Sequence, residues 1–458
     1  MSEKALLLFQ LGPVQEFIAQ AVTLGNLKAG SELLSEVTNA AVQEAVNFGA
    51  ELMFPNLETN KEAKGIPNRF LAEVPCEKAE TIAETCCAAA QDRLKKIVQS
   101  VPVPEEKREA FNQQVERFLQ ITWAVLKQRS GKMKEDYEKI GRLMALRRNA
   151  RTFEQWHEEG DGQAKDFLSG KEVALEKGLG AMNLIKCHRS EDIDIPKDWK
   201  DYLAVIALDG DSMGARLSGF ESKEKHLEFS GKLTAFAKSV PENMPKNGLL
   251  IYAGGDDVLA VVPPKEAVET AEKLQERFTD IVGGTASAGI AIGHCSVPLQ
   301  ALVQAAHTAE SRAKQGYARN ALAVSVFKRS GEILEWGCKW NSQALEIYKK
   351  LTEISKDNSV KMKRFPYKLA ALIAPYAFEK SISEEMQKVV MAEFDHAIEQ
   401  TEGIQTWVNG KGVSKVPREK VEAYLQECAK EHAADFLNLF LMETFINRPP
   451  KEEKKDGE

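Results

Sequence analysis

Two acidic segments of this chain carry the residue types that chemistry on a phosphate needs. Residues 254–257 read Gly-Gly-Asp-Asp between two apolar runs, and an apolar run upstream ends in Asp-Gly-Asp-Ser at 209–212. Mg²⁺ prefers hard oxygen ligands and is usually held by one or two carboxylates together with the substrate's phosphates. Two such ions about 3.5–4 Å apart activate an attacking hydroxyl and stabilise a leaving pyrophosphate. The two segments together predict a metal-dependent nucleotide site.

Each segment also has an ordinary structural explanation. Glycine and aspartate are common turn residues, so Asp209 is then a turn former, and Asp211 or Ser212 is a helix N-cap. This explanation accounts for one acidic segment, but it gives no reason for a second strand to end in two more carboxylates. The pair of segments therefore favours the metal site.

The surrounding pattern predicts the elements that would position these carboxylates. Apolar runs at 248–251 and 259–262 predict the two strands of a hairpin, and glycine supplies the positive φ that a tight turn needs. Asp256 and Asp257 then stand at the rim of a sheet. From residue 203 the predicted order is strand, helix, hairpin, helix, strand, helix, strand. That order is typical of a ferredoxin-like palm with an added helix and strand.

One cation is expected near these acids, at the end of the helix predicted over 298–314. Lys314 there would reach the β- and γ-phosphates of a nucleotide at the carboxylate rim, although the helix dipole alone also favours a solvated lysine at this end. The chain contains no Gly-x-x-x-x-Gly-Lys-Ser/Thr P-loop and no complete Gly-x-Gly-x-x-Gly fingerprint to bind the phosphates instead.

Four stretches share their residues with one known family: 11–18 (Leu-Gly-Pro-Val-Gln-Glu-Phe-Ile), 65–71 (Gly-Ile-Pro-Asn-Arg-Phe-Leu), 208–214 (Leu-Asp-Gly-Asp-Ser-Met-Gly) and 254–257 (Gly-Gly-Asp-Asp). The chain resembles the large polymerase-cyclase subunit of type III CRISPR RNA-guided effector complexes, closest to the Cmr-type (III-B) branch. The resemblance covers most of residues 5–330. It implies an α+β fold with two ferredoxin-like palm domains, a helical inter-palm domain and a C-terminal helical domain.

In that family the Gly-Gly-Asp-Asp palm binds ATP and Mg²⁺ and makes cyclic oligoadenylate second messengers when the complex captures target RNA. The resemblance therefore implies a nucleotidyltransferase that uses ATP as substrate and depends on Mg²⁺ or Mn²⁺. Asp209, Asp256 and Asp257 are its implied catalytic residues and metal ligands, and Lys314 is an implied phosphate contact. The implied nucleotide-binding residues are Gly210, Asp211, Ser212, Gly254, Gly255, Ser287 and Lys314.

Other functions stay open on the sequence. The same palm would equally join AMP to another acceptor such as S-adenosylmethionine, or serve as a catalytically silent structural subunit. A stand-alone diguanylate-cyclase-like enzyme would also use a Gly-Gly-Asp-Asp hairpin, but the N-terminal family stretches disfavour it.

Two departures from the family limit what the resemblance implies. The chain begins almost at once with the apolar strand predicted at 5–9 and contains no His-Asp dipeptide, so no HD-type DNase activity is expected. Many members also carry a four-cysteine zinc knuckle between the palms, whereas residues 165–171 of this chain contain no cysteine. Because no C-x-x-C pair occurs, no structural zinc is expected.

The 458 residues suit several domains. We predict a degenerate first palm at 1–100, a mostly helical inter-palm domain at 101–195, the catalytic palm at 196–330, a helical domain at 331–448 and a disordered tail at 449–458.

The amino-acid composition limits where the protein can function and which partners it can bind. No run of 18 apolar residues predicts a membrane span, and seven scattered cysteines suit a reducing cytoplasm. The net charge of −7 argues against a global basic field for nucleic acid. The resemblance implies contact with other complex subunits, and with guide and target RNA through the complex. The basic window 127–151 is either a local RNA contact or a solvated helix face.

Overall fold

The computed structural model describes residues 3–56, 66–150, 164–193, 195–196, 199, 201–355, 364–376, 380–401 and 417–447. The tail predicted at 449–458 lies outside the described residues, as does Gly65 of the second family stretch. Among the helices in these ranges, none is long and apolar enough to cross a membrane.

The N-terminal part of the chain forms a four-stranded antiparallel sheet. Its strands follow the order β2-β3-β1-β4, so the first strand is central, as in a ferredoxin-like β-α-β-β-α-β unit. The apolar run of β1 is buried on both faces because helices cover it. The elements are β1 Lys4–Gly12, α1 Gln15–Ala19, α2 Leu24–Asn47, β2 Glu51–Phe54, β3 Arg69–Pro75, α3 Ala79–Gln99, α4 Glu105–Glu116 and β4 Gln120–Lys127.

The position of β4 corrects the predicted boundary at residue 100. This strand pairs with β1 along eight residues, from Ala5 opposite Lys127 to Gly12 opposite Gln120. The first palm therefore extends to residue 127, and α4 is an insertion before its last strand. The sequence obscures β4 because it is a half-buried edge strand whose short apolar run follows a polar helix.

The inter-palm segment continues with α5 (Met133–Asn149) and α6 (Ala181–Arg189). Between them, the stretch where many family members have a zinc knuckle is organised around the buried carboxylate of Asp166. This carboxylate accepts hydrogen bonds from the backbone amides of Leu168, Ser169 and Gly180 and from the side chain of Asn183. A hydrogen-bonded carboxylate thus joins residues 166–169 to the start of α6.

The second sheet has six strands in the order β10-β9-β8-β5-β7-β6. Its β8-β5-β7-β6 part repeats the strand order of the first palm with antiparallel pairs throughout, and β9 then adds parallel to β8. The predicted order of elements from residue 203, including the added helix and strand, is confirmed. The elements are β5 Tyr202–Gly210, α7 Met213–Ser218, α8 Lys223–Ser239, β6 Leu249–Gly254, β7 Asp257–Val262, α9 Ala267–Val282, β8 Ala286–His294, α10 Leu299–Gln315, β9 Ala321–Phe327 and β10 Ile333–Lys339.

Helix α10 lies unusually close to strand β8. A Cβ atom built at Gly289 of β8 would stand 2.1 Å from the backbone nitrogen of Glu310 and 2.2 Å from the carbonyl oxygen of Ala306. Only glycine permits this approach. The contact fixes the height of α10 above the sheet, and so the position of the side chains in its last turns.

The C-terminal helices share the hydrophobic core of the second palm. Strand β10, beyond the predicted boundary at 330, pairs with β9, so the palm sheet extends to residue 339. The Trp336 indole of β10 is buried and donates a 2.9 Å hydrogen bond to the Tyr424 hydroxyl. The helices are α11 Gln343–Ser355, α12 Phe365–Ile373, α13 Glu384–Glu399, α14 Arg418–Cys428 and α15 Ala433–Ile446.

The two palms pack against each other beside the hairpin of β6 and β7. Phe54 at the end of β2 lies next to Gly255, where an added Cβ would be 3.7 Å from the phenyl ring. Below this contact, Lys223 of α8 forms ion pairs with Glu51 and with the nearly buried Glu73, the latter at 3.1 Å. The first palm therefore supports the hairpin tip of the second. The predicted fold class, α+β with two ferredoxin-like palms, is confirmed.

Candidate functional site

The two acidic segments meet at one end of the second palm sheet. Asp209 is the penultimate residue of the central strand β5, Asp256 lies in the β6–β7 turn, and Asp257 begins β7. Gly210 allows the strand end to approach the turn, because a Cβ there would be 3.0 Å from the Cβ of Asp256 and 2.8 Å from the Phe278 ring. The backbone amide of Gly210 donates a 3.2 Å hydrogen bond to the carbonyl of Asp256. Backbone contacts thus bring the ends of the two acidic segments together.

The hairpin turn depends on one of its two glycines. Gly254 pairs with Asp257 across the ladder, which leaves Gly255 and Asp256 as a two-residue turn. Gly255 has φ of +81°, which suits the first central position of a type II′ turn. An added Cβ at Gly254 would meet no atom within 4 Å. The turn geometry therefore requires glycine at 255 more strictly than at 254.

Burial and mutual repulsion raise the proton affinity of the hairpin acids. Burial, together with the charge of Asp209, raises the pKa of Asp256 to about 7. Burial and the same neighbour raise the pKa of Asp257 to about 8, although a hydrogen bond acts in the opposite direction, donated at 3.0 Å by the Tyr252 hydroxyl to Oδ2. Carboxylates gathered in a poorly solvated place repel one another until a cation joins them. The contact between Tyr252 and Asp257 was not predicted from the sequence.

Lys314 supplies one such cation. Its ammonium group, in the last turn of α10, forms ion pairs with Asp209 and, at 2.7 Å, with Glu310. Burial acts to lower the pKa of Lys314, but the hydrogen bonds to Asp209 and Glu310 outweigh it and raise the pKa, so the group stays charged. The structure therefore brings Lys314 to the carboxylates, as predicted. Glu310 was missed, although its spacing four residues before Lys314 on a predicted helix was a usable signal.

Asp211, Ser287 and Ser212 are placed differently from the other predicted residues. The buried carboxylate of Asp211 accepts hydrogen bonds from the hydroxyls of Thr285 (2.8 Å) and Ser287 (2.7 Å) and from the amide of Asn320 (2.9 Å). This network ties the end of β5 to β8 and to the loop before β9. Ser212 is exposed and precedes α7 with φ of +58°. The nucleotide-binding roles of these three residues stay predictions.

The carboxylate rim opens onto the first palm through a cleft of about 1000 Å³. Asp257 lies at one side of this cleft, and the end of β1, the start of β4 and the end of α5 form the other. A smaller pocket of about 80 Å³ adjoins it between α2 and the Tyr252–Gly254 backbone. The cleft and the smaller pocket share three lining residues, Val14, Asn68 and Asp257. Ile66, Pro67 and Asn68 of the second family stretch line this smaller pocket.

The donor set fits Mg²⁺ or Mn²⁺. In the described part of the chain, no three Asp, Glu, His or Cys side chains converge closely enough to hold a metal ion by themselves. The arrangement instead offers one or two carboxylates at a time beside a cleft. Mg²⁺ is usually bound by one or two carboxylates, and the phosphates of the substrate complete its coordination shell. Asp209, Asp256 and Asp257 are the residues that would supply these oxygens.

Comparison with known proteins agrees with this architecture. The family model for the second palm domain of Cas10/Cmr2 matches residues 202–323, and the model for the N-terminal part of CRISPR-associated protein Cmr2 matches residues 6–99. The CRISPR system Cmr subunit Cmr2 of Pyrococcus furiosus is 30% identical over 204 residues, which are 37% of this chain and only 23% of that protein.

Two solved structures share the fold. A type III-B Cmr-beta complex bound to cognate target RNA contains a chain with a TM-score of 0.68 and 10% identity, and the match covers 98% of this chain and 83% of that one. The Csm1-Csm4 cassette in complex with cA4 gives a TM-score of 0.56 at 13% identity, over 97% of this chain and 70% of that one. Residues 6–99 and 202–323 therefore match the N-terminal and second palm domain models of the Cas10/Cmr2 family.

Proposed function

We propose that this chain is the nucleotidyltransferase subunit of a type III CRISPR defence complex, and that it converts ATP to a cyclic oligoadenylate with release of pyrophosphate. The observation that carries the proposal is the meeting of Asp209, Asp256 and Asp257 with Lys314 at the mouth of a cleft shared by both palms. A purely structural palm has no need to bury carboxylates so close to one another that their charges raise each other's pKa.

In the proposed reaction, the 3′-hydroxyl of one nucleotide attacks the α-phosphate of another, and pyrophosphate leaves. Asp209, Asp256 and Asp257 would hold Mg²⁺ or Mn²⁺, which supplies activation of the hydroxyl and neutralisation of the departing charge. Lys314 binds the β- and γ-phosphates, so its positive charge favours the transition state as negative charge shifts towards pyrophosphate. Most of the rate then comes from orientation and electrostatics.

The surrounding residues position these groups. The hydroxyl of Tyr252 holds Oδ2 of Asp257 at 3.0 Å, which restricts rotation of that carboxylate. Asp211 anchors the end of β5 through Thr285 and Ser287, so Asp209 faces the hairpin. The small pocket beside Tyr252 offers apolar contacts from Ile18, Leu34 and Ile66 to an adenine base, and the larger cleft has room for a second nucleotide.

The proposed partners follow from the relatives. The Cmr-beta structure is bound to cognate target RNA, and the Csm1-Csm4 structure is in complex with cA4. By analogy, this chain would act within a complex of other subunits that carries guide RNA, and capture of target RNA would activate it. Its net charge of −7 agrees with RNA being held mainly by those other subunits.

Mass spectrometry of the products tests the proposal. The reconstituted guide-loaded complex would be given ATP and Mg²⁺, with and without matching target RNA, and with S-adenosylmethionine as an added acceptor. We expect a target-dependent cyclic oligoadenylate that disappears in the Asp256→Asn/Asp257→Asn variant. An AMP conjugate of the added acceptor would replace the proposed product but keep the site. Unconsumed ATP in an intact complex would show a structural subunit and overturn the proposal.

A further inference from the structure

We infer that Lys314 alternates between two positions, and that Glu310 is the residue that holds it in both. In the first position the ammonium group lies on Asp209 and stands in for a metal ion. In the second it has left Asp209, stays paired with Glu310 and contacts the phosphates of the nucleotide. This inference rests on the proposed function and assigns to Glu310 a positioning role that acts through Lys314.

The geometry of the ion pairs supports the first position. Lys314 bridges Asp209 on the sheet and Glu310 on its own helix, at spacing i and i−4. The Glu310 side chain is only 13% exposed, against 34% for Asp209, so Glu310 is the more enclosed of the two partners. A carboxylate in such a place is costly unless a cation stays beside it. Glu310 therefore needs Lys314 whether or not Asp209 does.

The two carboxylates are fixed, and the lysine is the part that moves. Asp209 lies opposite Ser287 in the β5–β8 ladder, and its strand end is anchored by the Asp211 network. The backbone nitrogen of Glu310 is the atom that a Cβ at Gly289 would meet at 2.1 Å, so this turn of α10 is pressed directly onto β8. Lys314, in contrast, has a flexible four-carbon stem. Its ammonium can therefore turn from Asp209 towards the cleft while its contact with Glu310 persists.

Competition for one carboxylate makes the two positions exclusive. Lys314 contacts Oδ2 of Asp209, and a divalent cation at the rim would use the same carboxylate. Two cations on one carboxylate repel each other strongly in a poorly solvated site. Metal binding must then displace the ammonium, and Glu310 keeps the displaced group at the rim instead of releasing it to solvent. The same lysine would weaken metal binding and strengthen nucleotide binding.

Mn²⁺ is the probe that separates these opposite effects. Free Mn²⁺ would be measured by electron paramagnetic resonance in titrations of the full-length chain without nucleotide. ATP affinity would then be measured at saturating Mn²⁺. The variants are Lys314→Met, Glu310→Gln and their combination, with Lys314→Gln as a second neutral replacement and a thermal melt of each to check folding. Lys273→Met is the matched control, because it removes an exposed i,i+4 pair with Glu269 on α9.

We expect Lys314→Met to bind Mn²⁺ at least about tenfold more tightly. A cation at this distance lowers the proton affinity of a carboxylate by about 1–3 log units, and it weakens the binding of a metal ion in the same direction. The same variant should bind ATP about tenfold more weakly through the lost phosphate contact. Glu310→Gln should also weaken ATP binding, but without the gain in Mn²⁺ affinity. In the Lys314→Met background, Glu310→Gln should have no further effect on ATP binding, because Glu310 acts through the lysine.

The failures are distinguishable. If Mn²⁺ binding depends on Asp256 and Asp257 but Lys314→Met leaves it unchanged, the alternation is wrong while the proposed site stands. If Glu310→Gln weakens ATP binding equally with and without Lys314, Glu310 has an independent role and the holding function is wrong. A third outcome is that the wild-type chain binds no Mn²⁺, or binds it equally well in the Asp256→Asn/Asp257→Asn variant. The proposed function itself then fails, and this inference fails with it.

Discussion

The two palms of this protein have the same strand order but end their central first strands differently. In the first palm, β1 ends at Gly12 and is followed by Pro13 and Val14, which line the cleft. In the second palm, β5 ends with Asp209 and Gly210, and Asp209 meets the acids of the hairpin. The end of the central first strand thus leads into residues that line the cleft in the first palm and carries a carboxylate in the second. The scaffold fixes where a group stands, and the residue there decides whether it can do chemistry.

The palms also differ in what supports them. The hairpin tip of the second palm has Phe54 of the first palm against Gly255, and Lys223 joins the two units through Glu73. The first palm therefore acts as a support and as half of a cleft. This division of labour predicts that substitutions in the second palm abolish chemistry, whereas those in the first palm alter binding.

The largest expected effect is the loss of catalysis in Asp256→Asn or Asp257→Asn. Each change removes a carboxylate that would hold the metal, so we expect product formation to fall by at least about a thousandfold. Product formation would be measured from ATP with the assembled complex. Asp92→Asn, an exposed acid on α3 of the first palm, is the control. Equal activity of Asp257→Asn and Asp92→Asn would remove the functional difference between the palms.

The second effect is on stability and depends on pH. The pKa of Asp257 rises from 3.8 in the unfolded chain to about 8 in the folded one, so the folded state binds the extra proton. Ionisation of the buried Asp257 therefore destabilises the folded state. This loss of stability is absent below about pH 4, grows as the pH rises, and is complete above about pH 8. In a chelator, Asp257→Asn should gain a few kcal/mol over wild type at alkaline pH and little at acidic pH. Thermal unfolding across this range measures the gain.

Mg²⁺ sharpens the same test. Because the proposed metal would bind the ionised carboxylates, its stabilising effect on wild type should increase with pH and should be smaller in Asp257→Asn. Asp92→Asn should follow the wild-type curve throughout. Parallel curves for wild type and Asp257→Asn at every pH would contradict the raised pKa.

A smaller effect is expected from the hairpin glycines. Gly255→Ala places a side chain at φ of +81°, which costs roughly 1–2 kcal/mol, whereas Gly254→Ala adds a Cβ that meets nothing within 4 Å. Thermal unfolding and product formation should therefore both decline for Gly255→Ala and stay near wild type for Gly254→Ala. Equal behaviour of the two variants would show that the turn does not depend on the left-handed conformation of Gly255.

The sequence predicted the second palm better than the first for a physical reason. Strands such as β5 and β8 are buried on both faces, so their apolar runs stand out, and the Gly-Gly-Asp-Asp turn has a clear local signature. In contrast, β4 and β10 are partly exposed edge strands whose pairing depends on distant neighbours, and both predicted boundaries were wrong there.

The same reason explains the site residues. The acids and Lys314 are chemically conspicuous, whereas the partners Tyr252 and Glu310 have ordinary types and gain meaning only through contacts. Asp211 was predicted as a nucleotide-binding residue, and only the structure shows that its oxygens accept hydrogen bonds from Thr285, Ser287 and Asn320. Spacing in the sequence does not reveal which way a side chain turns at the end of a strand.

The smallest effect tests whether the side of the cleft formed by the first palm and by α5 of the inter-palm segment is more than a support. Arg147 and Arg148, at the end of α5, line the cleft, and Arg147 is held by a 2.7 Å hydrogen bond to the Trp123 carbonyl and by stacking 4.3 Å over its ring. If these cations contact the phosphates of a second nucleotide, Arg147→Gln/Arg148→Gln should raise the KM for ATP about threefold, the size of an exposed charge contact. The Mn²⁺ affinity should not change.

Arg142→Gln is the matched control, since Arg142 lies on the same helix with its side chain 82% exposed and paired with Glu138. An equal rise in KM for Arg142→Gln would indicate a general charge effect. A fall in kcat with unchanged KM would instead place the arginines in the chemistry, because they would then act only in the transition state. A selective rise in KM would show that this side of the cleft, which has no carboxylate at the end of β1, still selects what reaches the carboxylates of the second palm.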